Sequence, residues 1–303
     1  FCYHLNKLGV EAEMAYYEKL KFPTQKNDKK LIAAYERYGC KKTEKIIDIP
    51  GNTVVLSEGE LWFLPRFKHV KLMIWWLSVD NYYKSMRTGY AKIYAPLGMN
   101  RRPYNPFLDK YIHCVQSEYA KQFLVDKGIK LEDIYPLSDY LSSEFIAKTN
   151  NENKRPKEDV VLYNPQKGIE FTQKIISYCK EIRFIPLIDL THEEMAELMM
   201  KSKVYIDFGN HPGKDRIPRE AAVSGCCIIT NTEGSAGNET DIKIPVQYKI
   251  DMKDKNIPMI ISSIKGCIKN YESIRDEFED YRAEIRMQEA VFLQEVKNIV
   301  NLL

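Results

Sequence analysis

The chain has no cysteine pair at C-x-x-C spacing, no D-x-D and no apolar run of membrane length. Its seven cysteines (Cys2, Cys40, Cys114, Cys179, Cys226, Cys227 and Cys267) are scattered, odd in number and mostly set in apolar stretches. That pattern excludes a thiolate zinc centre and a disulfide framework, and it predicts a reducing compartment, the cytoplasm. The longest apolar run, "LMIWWL" at 72–77, is far too short to span a bilayer, and no signal-peptide pattern is seen. An excess of one charge is missing too. The 45 Lys and Arg against 42 Asp and Glu leave +3, too little to argue for nucleic acid. The exception is local: residues 51–110 carry Arg66, Lys68, Lys71, Lys84, Arg87, Lys92, Arg101, Arg102 and Lys110 against Glu58, Glu60, Asp80 and Asp109. Such a face could meet anionic lipid or an anionic substrate, but charge runs are usually solvated surface, and that is the favoured reading.

What remains is ordinary globular material. With 44% apolar and 29% charged residues, 303 positions suffice for one large domain or two of usual size. From 159 onward the periodicity is regular. "DVVLYN" is a buried strand, 168–181 has helical spacing, and "RFIPLI" is a strand. Thr191 and Glu194 form a capping box that starts a helix. "VYIDF" is a strand, "IPREAAVSG" a short helix ended by Gly225, and "CCIIT" a strand. This alternation predicts βαβ units around a parallel sheet.

The first half reads less cleanly, with strands expected at "AEMAYY", "TVVLS", "VKLMIWWLSV" and "YIHCVQS", the last running into the helix "EYAKQFLVDKG". Phe1, Leu5 and Leu8 make a helical stripe ended by Gly9, as though the chain began inside a helix, so a preceding strand is expected to be missing. The polar stretch 146–158 predicts a linker. The expected organisation is an N-terminal unit 1–145, that linker, and a second unit 159–303 that finishes in charged helices.

The segment "GNHPGKDRIPREAAVSG", 209–225, lies after a strand and before a helix, where an open α/β sheet places ligands. Free N–H groups and the helix dipole favour an anion there. Lys214, Arg216 and Arg219 add positive charge, and Gly209 and Gly213 would let the backbone approach a phosphate. A P-loop is excluded, because "GNHPGKD" is one residue short and Asp215 stands where a hydroxyl must hold magnesium. "DFG" at 207–209 has no accompanying kinase motif and is a chance match.

The order "KVYIDFG…IPREAAVSGCCIIT" resembles the donor-binding segment of GT-B glycosyltransferases, most nearly the family-4-type retaining enzymes of bacterial polysaccharide biosynthesis. Glu220, Ala221, Gly225 and "CCII" match that pattern. "VVLYNPQKGIEF", with Lys167 and Gly168, resembles the segment whose cation binds the pyrophosphate. The resemblance covers about 159–250 well and 1–145 loosely. It implies an α/β, GT-B-like fold: two doubly wound Rossmann-like domains facing across a cleft, acceptor side first, nucleotide-sugar side second. It also implies that Glu220 contacts the ribose and that Lys167, Lys214 and Arg216 neutralise the diphosphate without a metal or other cofactor. Gly168, Gly213, Gly234 and Ser235 are the further donor-site candidates, the last two through backbone N–H groups. The family pattern is Glu-x7-Glu, and Pro212 stands at the first Glu. His211 and Asp215 are therefore candidates for part of its work, and Asp80 for the polar contact to sugar.

The activity implied is hexosyl transfer from a nucleotide sugar to a glycan or lipid-linked acceptor, in the cytoplasm or peripherally at the inner face of the plasma membrane, with no nucleic acid involved. The alternatives are a nucleotide-sugar epimerase of similar form and an inactive GT-B subunit that binds nucleotide or glycan.

Overall fold

The computed structural model describes residues 1–16, 35–88, 105–152 and 156–303. Tyr17 of the first expected strand, and Lys92, Arg101 and Arg102 of the basic stretch, lie outside them. The described strands form two four-stranded sheets, both entirely parallel.

In the first sheet β1 (Thr53–Ser57), β2 (Lys71–Trp76), β3 (Ile112–Val115) and β4 (Ile134–Pro136) lie side by side in chain order. β2 is apolar almost throughout because both faces of a parallel sheet are covered. Trp76 is buried on one face, with Phe63, Tyr82 and Phe123. Met73 and Cys114 pack on the other. β2 is shorter than the apolar run suggests because Ser78 already opens α2 (Val79–Thr88), its hydroxyl accepting from Asn81 N at 3.1 Å. His113 is a core histidine, accepting from the Trp76 indole at 3.3 Å. α3 (Glu118–Asp126) starts at Ser117, which accepts from Ala120 N.

The strand expected at "AEMAYY" is not formed in its described part, where only Met14 bridges to Lys42. The reason is local. After α1 (Cys2–Lys7), the Asn6 amide takes both the N–H and the carbonyl of Ala12, at 3.0 and 2.9 Å, which removes that residue from any ladder.

The second sheet has the order β6-β5-β7-β8, built from β5 (Glu158–Tyr163), β6 (Arg183–Pro186), β7 (Ser202–Asp207) and β8 (Cys227–Thr230). Between them run α5 (Ile169–Ser177), α6 (His192–Lys201) and α7 (Arg216–Val223). The Thr191–Glu194 capping box is present, both of its bonds made. The linker expected at 146–158 is partly helix: α4 (Ser143–Glu152) occupies its first half, with Phe145 and Ile146 packed on the second core. Lys157 ends it by donating to Met199, Ser202 and Ser224 carbonyls, which closes the C-termini of α6 and α7.

After α8 (Ile257–Lys269) and α9 (Tyr271–Asp276), the last helix, α10 (Glu279–Val300), crosses between the cores. Tyr281 and Ile285 pack in the second, while Phe292, Val296 and Ile299 pack on Met73, Cys114 and Leu137 of the first. Packing therefore divides the chain differently from the 159–303 boundary, since the end of α10 belongs to the first unit. At 1.5 Å per residue the helix is about 33 Å long, enough to reach both. Glu295 fixes it there, accepting from Ser138 N and Oγ at 2.7 and 2.6 Å. Among the described residues no helix is long and apolar enough to cross a membrane.

Candidate active site

The second sheet winds in one direction from β5 to β6 and in the other from β7 to β8. The reversal leaves a crevice at the carboxyl ends of β5 and β7, bordered by loops 164–168 and 208–215. The loops touch backbone to backbone. Gly168 is left-handed (φ +56°), and a Cβ there would lie 1.9 Å from Phe208 O. Gly168 thus serves loop contact rather than ligand approach, and it seats Lys167 against the charged turn.

Lys167 Nζ donates to Asp215 Oδ2 at 2.6 Å and to Asn210 O at 3.2 Å. His211 Nδ1 shares Asp215 Oδ2 at 2.8 Å, while its Nε2 faces Asp207 O at 3.4 Å. Asp207 accepts from Tyr205 OH at 2.7 Å and from Gly209 N at 3.1 Å. Burial pushes the Asp215 carboxyl up, but His211 and Lys167 outweigh it and hold it below the ordinary range. Burial, then Asp207, pushes the Tyr205 phenol well up, which keeps it a donor.

Asp207, His211 and Asp215 are spaced as metal ligands could be, all within 4.8 Å of one another. Asp207 Oδ1 and Oδ2 and Asp215 Oδ2 accept hydrogen bonds in this network, and the Lys167 ammonium supplies a positive charge beside Asp215. His211, with a side chain fully buried, braces Asp215 and does not reach the crevice, contrary to the catalytic role expected of it.

Beyond this turn, α7 begins without a side-chain cap and without an acidic residue in its first turn. Glu220 lies one turn inside. Arg216 Nε donates to its Oε1 at 2.5 Å, whereas Oε2 is buried with no partner among the described residues. A buried carboxylate oxygen left unpaired costs free energy unless a ligand satisfies it.

Several expected phosphate contacts fall elsewhere. Arg216 pairs with Glu220. Lys214 is half-buried, and burial, then the Arg219 charge, lowers its pKa. Gly213 meets the first unit: a Cβ would stand 2.1 Å from Leu77 O. Gly234 and Ser235 hold the charged turn itself. Gly234 (φ +56°) packs on His211 O, Ser235 N donates to that oxygen at 2.8 Å, and Ser235 Oγ donates to Gly213 O at 2.6 Å. The Ser235 N–H, expected to donate to a ligand, is taken up by this bracing, because the turn's own carbonyls need partners. Arg219 is wholly buried and bonds neither Glu220 nor solvent.

Asp80, at the start of α2, does reach the junction and accepts from Asn210 Nδ2. Beside it, Val79 N donates to Pro212 O at 3.0 Å. Sequence reasoning missed Asp241, whose carboxylate crosses to the first unit and accepts from Glu118 N and Tyr119 N at 2.8 and 2.9 Å, capping α3. Nothing local marks it, since its partners lie far off in the chain. Asp241→Ala is expected to cost about 1 kcal/mol in chemical denaturation and to raise amide exchange at Glu118 and Tyr119.

Glu58, just past β1, is a second buried carboxyl at the junction, and its Oε2 accepts from Leu77 N at 2.8 Å. Burial raises its pKa from 4.5 to about 7 against that hydrogen bond. The folded state therefore holds the proton more tightly than the unfolded one. Its stabilising contribution is full below the unfolded value and is lost as pH rises through 7. We expect about 2 kcal/mol more stability from this group at pH ~5.5 than at pH ~8. Glu58→Gln should flatten that difference in denaturant titrations.

No protein-family model matches the chain, and no curated protein is similar to it in sequence. Solved structures do match. TarM from S. aureus, in complex with UDP, fondaparinux and alpha-GlcNAc-glycerol, has a TM-score of 0.59 at 12% identity over 89% of this chain. This chain spans 57% of the TarM chain. HepE from Anabaena, in complex with UDP, has a TM-score of 0.58 at 11% identity, with 91% of this chain and 90% of that one covered. Sucrose-phosphate synthase from Thermosynechococcus elongatus has a TM-score of 0.54 at 14% identity, covering 90% of this chain and 76% of that one. The fold is α/β and GT-B-like, with two Rossmann-like domains.

Proposed function

We propose that the chain is a glycosyltransferase that takes a hexosyl group from a nucleotide sugar, of uridine type, and passes it to a glycan or lipid-linked acceptor. The carrying observation is Glu220: a buried carboxylate with one unpaired oxygen, one turn inside a helix whose N-terminus no side chain caps. A ribose offers two adjacent hydroxyls to such an oxygen, while the diphosphate takes the helix N-terminus and Lys167. The fold supports this reading, as do the ligands of its likenesses: UDP in TarM, UDP-glucose in HepE.

In this reading the departing diphosphate is stabilised by Lys167 and the α7 N–H groups, with no metal required. Asp215 holds Lys167 in place and His211 holds Asp215. Asp80, across the junction, contacts the sugar. The retaining course and a place in surface polysaccharide synthesis in the bacterial cytoplasm belong to the same proposal. A second reading, a subunit that binds the nucleotide sugar without transferring, is favoured by Pro212 and by the burial of His211, which leave the position of the first Glu without a carboxylate.

The test is release of nucleoside diphosphate from a panel of nucleotide sugars with chelator present. Release that grows with an added glycan supports transfer. Binding without release supports the second reading, and no binding of any nucleotide sugar refutes both.

A further inference from the structure

Arg219 is the residue the motif analysis leaves unexplained. Its guanidinium is buried to 1% exposure and bonds four groups in three segments. Nε donates to Asp215 O at 3.1 Å, and one terminal nitrogen donates to Lys214 O at 3.1 Å. The same nitrogen donates to Asp139 Oδ2 at 2.9 Å, and the other donates to Gln288 Oε1 at 2.9 Å. Lys214 and Asp215 form the entry to α7, and Asp215 in turn holds Lys167. Asp139 lies between β4 and α4, where the chain leaves the first domain, and Gln288 lies on α10, where it returns. One planar fork therefore ties the charged turn to both described passages between the domains.

The same joint holds spare hydrogen-bonding capacity. Among the described residues, Gln288 Nε2 and the Tyr281 hydroxyl are buried without partners, and so is Asp139 Oδ1 as a hydrogen-bond acceptor, although it lies 2.8 Å from Arg219 as an ion pair. A joint so arranged keeps its shape through Arg219 rather than through a saturated network.

We propose that Arg219 is a positioning residue that sets the donor seat from the interdomain joint, holding the α7 entry, and through Asp215 the Lys167 ammonium, at a place fixed by Asp139 and Gln288. The donor part rests on the function proposed above; the positioning part does not. Asp139 and Gln288 contact none of Lys167, Asp215 or Glu220 by hydrogen bond. The polar path from either to the seat runs through the guanidinium; α10 also packs directly on α7, and a double variant separates that route from this one. Lysine cannot replace it, because a single ammonium does not span two carbonyls, an amide and a carboxylate in one plane.

The first measurement needs no ligand. Hydrogen exchange over 209–219 is followed in the full chain, in Asp139→Asn, Gln288→Ala and Arg219→Lys, well below each variant's unfolding temperature. Exchange at Lys214, whose N–H donates to Gln116 Oε1, is expected to rise about tenfold in all three, and in the Asp139→Asn/Arg219→Lys double variant no further than in Arg219→Lys alone. Unchanged exchange in Asp139→Asn and Gln288→Ala, or additive effects in the double variant, overturns the proposal. The second measurement is UDP affinity by calorimetry, expected to fall about tenfold in Asp139→Asn and Arg219→Lys without summing. UDP binding within twofold of wild type in a variant with raised exchange overturns the link to the donor. A wild-type chain that binds no nucleoside diphosphate refutes the donor reading, and the exchange data then decide Arg219's role alone.

Discussion

Glu220→Met is expected to abolish the rise in unfolding temperature that UDP gives the wild-type chain, without lowering the unfolding temperature of the free protein. The two halves of this result come from one atom. In the free chain Glu220 Oε2 is buried without a partner, and its carboxylate is met only by Arg216, whose side chain is 55% exposed. An apolar side chain of similar length removes the desolvation cost and frees Arg216 to reach solvent, so stability holds or increases. With nucleotide the balance reverses. A ligand at about a hundred times its Kd stabilises by about 2.7 kcal/mol, and loss of the ribose contacts removes most of that. Lys167→Ala acts differently. It weakens the nucleotide response and also costs about 1–3 kcal/mol in the free chain, because Asp215, mostly buried, keeps only His211. Thermal shifts with and without UDP, in chelator, separate these patterns. A Glu220→Met variant that still responds to UDP as wild type does would remove the ribose assignment.

The second domain was largely readable from sequence because its signals are local. Apolar runs of strand length, a Thr191–Glu194 capping box and the short helix before "CCIIT" each specify an element through near neighbours. The GT-B resemblance joins Lys167 to the 209–216 turn, and the strand order brings their two loops to one crevice. What was not readable depends on distant partners. A lysine in a charged turn can face either side of it, and nothing local shows that Lys214 is half-buried near the Arg219 charge, which with burial lowers its pKa. Gly213 looked like a place for close ligand approach, yet its neighbour is Leu77, from the other domain. Asn6 replaced a strand partner with a side-chain amide, which no alternation of apolar residues reveals. Asp241 and the end of α10 show the same limit: each belongs by contact to the domain it does not belong to by sequence.

Gly213 carries the second large prediction. The added Cβ of Gly213→Ala would meet Leu77 O at 2.1 Å, a backbone atom that cannot swing aside. One of the two domains must withdraw. Withdrawal breaks the bonds that radiate from this contact: Val79 N to Pro212 O, Lys214 N to Gln116 Oε1, and Asn210 Nδ2 to Asp80. Overpacking against rigid backbone, with these polar groups unpaired, is expected to cost about 2–4 kcal/mol. The loss should also be divided between functions. Glu220, Lys167 and the α7 N-terminus all lie in the second domain, so UDP still raises the unfolding temperature of Gly213→Ala. In the proposed function Asp80 reaches the sugar only while the domains touch, so transfer is expected to fall to a few per cent or less. Gly168→Ala should behave in the opposite way. Its strain and its clash with Phe208 O lie inside the second domain, and they displace Lys167 directly, so the UDP response and transfer fall together. Measuring UDP response and turnover on both variants assigns each glycine its contact. A Gly213→Ala chain that keeps full turnover would mean that the two domains need not meet at this turn for the reaction to proceed.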